Sequence, residues 1–88
     1  MKHEVRLSNR AQRDLDRLDK PTQQRIVKRL EQLAENPYDP RFSAPLAGHE
    51  GLRKSRVGAW RIILQVQDEQ FIVFVVIIER RGQVYKRI

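Results

Sequence analysis

Two rhythms divide the chain. Up to about residue 35 the apolar positions recur at helical spacing, and from Leu52 onward they alternate. Ahead of both, residues 3–7 set Val5 and Leu7 between charged neighbours and read as a short first strand. Ser8 follows as a natural N-cap, its hydroxyl able to accept from an orphan amide of the first helical turn. Ala11, Leu15 and Leu18 then fall on one helix face, with Arg10, Arg13, Asp14, Asp16 and Arg17 around them as a solvated face. Asp19-Lys20-Pro21 breaks this helix and starts another, proline being tolerated in a first turn. Ile26, Leu30 and Leu33 mark the second apolar face, broadened by Val27 and Ala34. Asn36-Pro37-Tyr38-Asp39-Pro40 stops it, because proline disfavours a helical residue before it. Two helices joined this tightly predict an antiparallel hairpin. Residues 36–51 hold Pro37, Pro40, Pro45, Gly48 and Gly51 and read as an ordered loop, so residues 1–88 are expected to form a single domain.

In the second half, residues 52–57, 60–67 and 71–80 read as strands, with turns at Gly58-Ala59 and Asp68-Glu69. Residues 84–87 suggest a short last strand after Gly82. The expected class is α+β: an N-terminal strand and a two-helix hairpin packed on a twisted, mainly antiparallel sheet of four to five strands. A two-residue loop at Gly58-Ala59 sets Val57 opposite Trp60, Arg56 opposite Arg61, Ser55 opposite Ile62 and Lys54 opposite Ile63. Trp60, Ile62, Leu64 and Val66 then share the face under the helices. A regular second hairpin pairs Val66 with Phe71, sending Phe71, Val73, Val75 and Ile77 to that same face. Ile72, Phe74, Val76, Ile78 and Arg80 fall on the other side, and Glu79 points away from it. This strand is apolar on both faces, which predicts a central position.

Alternation therefore converges Lys54, Arg56, Arg61 and Arg80 on one side of the sheet. Like charges directly opposite, as in Arg56 against Arg61, repel unless an anion offsets them. The plainer explanation is that these long side chains splay into solvent and cover Ile72 and Phe74.

Composition sharpens the choice. Eighteen Lys+Arg against eleven Asp+Glu give a net charge of +7 over 88 residues, with an isoelectric point near 10.6. Such a balance fits a polyanionic partner, since each neutralised phosphate releases condensed counterions. It also fits a solubility surplus or an acidic protein partner. With no cysteine there is neither a disulfide nor a thiolate metal site, and His3 and His49 are too far apart to suggest a metal cluster. No apolar h-region follows the charged start, and the longest apolar run is far short of a membrane span, so the expected compartment is the cytoplasm and no membrane partner is expected.

Nucleotide-binding glycine loops, metal motifs and nucleophile elbows are absent from the sequence. A ribonuclease built from these residues must use lysine and arginine where histidine is usual. Positive neighbours disfavour the charged form of a lysine, which makes Lys54 the candidate general base. Guanidinium groups can stabilise the extra negative charge of a pentacoordinate phosphorane. Arg80, Arg81, Lys86 and Arg87 form a further acid-free cluster around Tyr85, whose ring can stack on an RNA base or simply pack half-buried in an edge strand.

Several segments in this order and spacing resemble the RelE/ParE toxins of bacterial and archaeal toxin–antitoxin systems. They are Ser8-x-x-Ala11-x-x-x-Leu15-x-x-Leu18, Pro45-Leu46-Ala47-Gly48, the run from Leu52 to Arg61, and Glu79-Arg80-Arg81-Gly82-Gln83-Val84-Tyr85. The Arg56-Val57-Gly58-x-Trp60-Arg61 turn with its following apolar strand is the most specific part. The resemblance implies a RelE-like fold and a ribosome-dependent endoribonuclease. Such an enzyme cuts messenger RNA in the A site by attack of the ribose 2′-hydroxyl on the adjacent phosphate. It further implies that Lys54 activates the hydroxyl, Arg61 stabilises the transition state, Arg80 protonates the leaving group and Tyr85 stacks on a base. Arg53, Arg56, Arg81, Lys86 and Arg87 are the candidate RNA-binding residues, with no metal or cofactor. The implied partners are the ribosome, messenger RNA and a RelB-like antitoxin, with oligomers formed only together with that antitoxin. The antitoxin is expected to cover the cationic face or displace residues 83–88. A ParE-like inhibitor of DNA gyrase, or an inactive nucleic-acid-binding homologue, would share the fold. Leu52, where some members carry a lysine, and Glu79, where many carry a histidine, depart from the family pattern.

Overall fold

A computed structural model describes residues 2–81. Its elements are β1 (Glu4–Leu7), α1 (Asn9–Asp16), α2 (Lys20–Glu35), β2 (Ala44–Pro45), β3 (Arg53–Val57), β4 (Trp60–Gln67), a 3₁₀ turn (Asp68–Gln70) and β5 (Ile72–Arg80). The five strands form one sheet in the order β1-β5-β4-β3-β2, with β1 parallel to β5 and the other neighbours antiparallel. The expected last strand at residues 84–87 lies outside the described residues. No helix among the described residues is long and apolar enough to cross a membrane.

The helices begin where the sequence places their caps. Ser8 Oγ accepts from the Ala11 amide at 2.9 Å, and Asp19 accepts from the Thr22 amide at 3.3 Å ahead of α2, with Pro21 in its first turn. The buried face of the hairpin, Ala11, Ile26, Leu30 and Leu33, packs on Ile62 and Leu64 of β4 and Val73, Val75 and Ile78 of β5. Trp60 and Val66 pack at its border, so the expected helix-facing set on β4 is the observed one. Each fully buried Ile or Leu contributes roughly 1.5–3 kcal/mol. Truncating Ile26, which has no exposed surface, to alanine would cost about 2–5 kcal/mol through the cavity left behind.

β5 is central, as its two apolar faces required, but its register differs from the expected one in two places. The 3₁₀ turn and a left-handed Phe71 (φ 54°) lengthen the β4–β5 connection, so Val66 pairs with Val73 rather than Phe71. Phe71 leaves the strand and stands 46% exposed instead of joining the helix-packed face. A shift of two residues preserves alternation, and Val73 and Val75 keep their expected side. The second departure does not preserve it. Leu64 pairs with Val75 and Ile63 with Ile77, leaving Val76 as the extra residue of a β-bulge. From there on every side chain of β5 changes face. Ile78 enters the helix-side core, Ile77 turns to the opposite side, Arg80 comes opposite Trp60, and Glu79 comes opposite Arg61.

The bulge sits where β1 ends. Leu7 is the last residue of β1 to pair with β5, opposite Val75, and beyond it the edge of β5 passes to α1. The Ser8 amide donates to the Val75 carbonyl at 2.9 Å, Ser8 Oγ donates to the Val76 carbonyl at 2.6 Å, and Asp14 Oδ2 accepts from the Ile78 amide at 3.1 Å. A helix thus satisfies backbone groups that a longer β1 would have paired.

Candidate nucleic-acid interface

The β3–β4 hairpin positions the first group of candidates. Gly58 takes the left-handed conformation (φ +58°) that a two-residue hairpin loop requires, and Lys54↔Ile63, Arg56↔Arg61 and Val57↔Trp60 pair as expected. Ser55 is 1% exposed on the helix side, where Arg29 of α2 donates to its hydroxyl at 3.0 Å and to the Arg56 carbonyl at 2.6 Å. Alternation sets Lys54, Arg56 and Arg61 on the other, open face. Lys54 is half-buried and Arg56 exposed, and neither is ion-paired among the described residues.

Glu79, expected to point away from this face, lies on it opposite Arg61. Its carboxylate accepts from Arg61 Nε at 3.0 Å and is ion-paired with Arg61 Nη2; the side chains are 8% and 15% exposed. The like-charge pair Arg56–Arg61 is therefore offset by the protein's own carboxylate. The charge crowding around Lys54 is correspondingly smaller than alternation implied.

Arg80 does not join these residues. The bulge turns it to the helix side, into a groove of about 590 Å³ lined also by Arg10, Arg13, Arg17, Trp60 and the acids Asp14, Asp19 and Glu79. Arg81 stands differently. Its amide donates to the Ala59 carbonyl at 2.7 Å, which extends the β4–β5 pairing by one residue beyond Trp60↔Arg80. Continued alternation brings Arg81 back to the side of Arg61 and Glu79.

Arg53, a candidate RNA contact, also makes contacts within the fold. Its Nε donates to Ser43 Oγ at 3.0 Å, and its guanidinium lies 5.0 Å from the centre of the Tyr38 ring, binding β3 to the proline-rich loop. Tyr85, Lys86 and Arg87 lie outside the described residues.

Two further clusters lie outside the residues that the sequence pattern singles out. Tyr38 Oη donates to Asp68 Oδ2 at 2.5 Å, and His3 Nε2 lies 3.4 Å from Asp68 Oδ1, so one carboxylate ties the proline-rich loop and the N-terminus to the β4–β5 turn. The tyrosine hydrogen bond is the main cause holding the Asp68 carboxyl below its usual range, and the same bond raises Tyr38. At the edge of β3, Arg41 and Phe42 face Lys54 and Arg56 across a groove of about 420 Å³. The Arg29 and Arg41 guanidinium groups lie 5.3 and 5.1 Å from the centre of the Phe42 ring. Both clusters join segments distant in sequence, and only the Arg-Phe dipeptide in a basic chain hinted at the second. Among the described residues no group of three or more His, Asp or Glu side chains is placed to hold a metal ion.

Comparison with known proteins agrees with this geometry. Residues 5–85 match the family model of the ParE toxin of the type II toxin–antitoxin system parDE. The chain belongs to the RelE/ParE family of toxins. A RelE-like toxin protein of Escherichia coli is 35% identical over 83 residues, covering 92% of this chain and 85% of that one. The toxin–antitoxin complex RelBE2 of Mycobacterium tuberculosis superposes with a TM-score of 0.80 at 26% identity, over 92% of this chain and all of that chain. The isolated E. coli RelE toxin shares the fold, with a TM-score of 0.78 at 24% identity over 97% and 93% of the two chains. As a RelE-like toxin this chain keeps the two helices and five-stranded mixed sheet of those structures. Its cations on the open sheet face are the feature to explain.

Proposed function

We propose that this RelE-like toxin is a ribosome-dependent endoribonuclease that cuts messenger RNA in the A site and so stops translation. The observation that carries the reading is Lys54 and Arg56 on the open face of β3, without carboxylate partners among the described residues, beside Arg61. In this reading Lys54 accepts the proton of the ribose 2′-hydroxyl, the oxygen bonds to the adjacent phosphorus to give a 2′,3′-cyclic phosphate, and the bond to the 5′-oxygen breaks as that oxygen takes a proton from the arginine beside it. Arg61 donates to the phosphorane oxygens, exchanging its hydrogen bonds with Glu79 for stronger ones to the developing dianion. The bulge takes Arg80 out of this face, so Arg81 is the cation assigned to the leaving oxygen, and Tyr85 remains the proposed base-stacking residue. Catalysis needs no metal held by the toxin. The ribosome supplies the remaining positioning, and a RelB-like antitoxin silences the toxin in the cytoplasm by covering the open face.

The test is primer-extension mapping of a message in a purified translation system, with wild-type toxin and Lys54→Ala. The Lys54 side chain makes none of the described hydrogen bonds and the variant keeps the β3 backbone pairing, so it should stay folded. Codon-periodic cuts that require ribosomes and disappear in Lys54→Ala are the expected result. Intact message with wild-type toxin present would overturn the reading. The match to the ParE family model supports one alternative, inhibition of DNA gyrase, for which loss of supercoiling activity is the assay.

A further inference from the structure

The groove between the Arg41–Phe42 loop and the outer edge of β3 has no role in the cleavage scheme. We infer that it is a subsite for a nucleotide of single-stranded RNA next to the one cut. Arg56 holds its phosphate, and its base stacks on the Arg41 guanidinium. Its place beside the nucleotide that is cut rests on the ribonuclease reading, because Lys54 lines this groove and also belongs to the open face.

Charge separates this groove from the other one. The α1 groove sets four arginines against the carboxylates of Asp14 and Asp19, whereas the β3 groove is lined by Arg29, Arg41, Lys54 and Arg56 with no carboxylate among its lining residues. Its volume of about 420 Å³ falls within the roughly 300–1,000 Å³ usual for small-ligand sites. Its cations are also differently committed. Arg29 is tethered to Ser55, Arg56 and Gln32, and acts as a fixed positive wall. Arg56 forms no ion pair among the described residues and remains available to a phosphate.

Arg41 is built as a platform. Asp39, outside the lining, accepts from its Nε and from Nη2 at 2.7 Å, which fixes the guanidinium plane, yet the side chain is 77% exposed. Phe42 supports that guanidinium from within the loop. A preoriented, exposed guanidinium plane is a recurrent stacking surface for unpaired bases. Its neighbouring cations suit the phosphate backbone of a single strand. Duplex bases, already stacked on each other, would find nothing to gain here.

The experiment measures fluorescence anisotropy of a short single-stranded RNA, 2′-O-methylated to prevent cutting, with purified full-length toxin. Arg41→Ala should weaken binding about tenfold, in line with the loss of one stacked base. Arg41→Lys, which keeps the charge beside Asp39 but lacks the plane, should lose nearly as much. Arg56→Ala should weaken binding and lower the salt slope by about one phosphate contact, and Arg13→Ala in the α1 groove should change little. An abasic nucleotide at the stacked position should make Arg41→Lys silent. Wild-type affinity in Arg41→Lys with an unchanged melting temperature would overturn the subsite, as would equal losses in Arg13→Ala. So would an acidic antitoxin segment that depends on Arg41 while RNA does not. Arg41-dependent RNA binding without any cutting on ribosomes would uphold the subsite and defeat the ribonuclease reading. Cutting by Arg41→Lys with wild-type kcat and KM would do the reverse.

Discussion

Arg61 carries two loads, and a double-mutant cycle with Glu79 separates them. In the folded toxin Arg61 is the partner of a carboxylate that is only 8% exposed. At 3 Å and an effective dielectric near 20, the gross attraction is about 5 kcal/mol, most of it offset by the desolvation of both ions. Removing Arg61 takes the counter-ion from the buried Glu79 carboxylate, which costs roughly 3 kcal/mol. An 88-residue domain has about 5–13 kcal/mol in total, so Arg61→Met alone should lower the melting temperature by roughly 10–20 °C. The double variant removes both charges and should recover about 2 kcal/mol of the summed loss. Urea denaturation followed by circular dichroism measures all four corners of the cycle. Additive losses, with a coupling below about 0.5 kcal/mol, would refute the claim that Arg61 and Glu79 stabilise each other. The cycle also decides how activity data are read. Loss of cutting in Arg61→Met alone can reflect unfolding, whereas loss in a stable double variant belongs to the chemistry.

Ser8→Ala should cost about 2 kcal/mol, more than an ordinary N-cap, because it also leaves the bulged Val76 carbonyl without its 2.6 Å donor; thermal unfolding beside Asp19→Ala checks this. Gly58→Ala should destabilise by about 1 kcal/mol through its positive φ, and a tolerant result in urea would mean that the hairpin relaxes. Acid should destabilise through Asp68, whose folded value lies below its usual 3.8. Its contribution is present above that usual value and is lost as pH falls through the lowered one. Asp68→Asn should flatten the melting-temperature profile in that acid window. The raised Tyr38 works the other way: its contribution persists below the usual 10.0 and is lost as pH rises through the raised folded value.

Local chemistry was fully legible in the chain. Ser8 and Asp19 cap the helices they precede, Gly58-Ala59 forms the two-residue turn, and the Lys54-to-Val57 register follows from that turn alone. Period-two and helical spacing identified the core on Ile26, Leu30, Ile62 and Leu64, because burial on one face is written residue by residue. The family signature was legible for the same reason, lying in contiguous runs around Arg56–Arg61. The bulge at Val76 was not. All its neighbours from Ile72 to Ile78 are apolar, so either face accepts either parity and the sequence expresses no preference. That choice belongs to the tertiary structure. β1 stops at Leu7, and Ser8 and Asp14 of the following helix reach Val76 and Ile78 as no strand residue could. One extra residue then carries Arg80 away from the open face, sets Glu79 against Arg61 and brings Arg81 around. The sequence alone determined which cations the toxin has. Only packing decided which of them share a face, because parity along an apolar strand is decided by hydrogen bonds to distant segments.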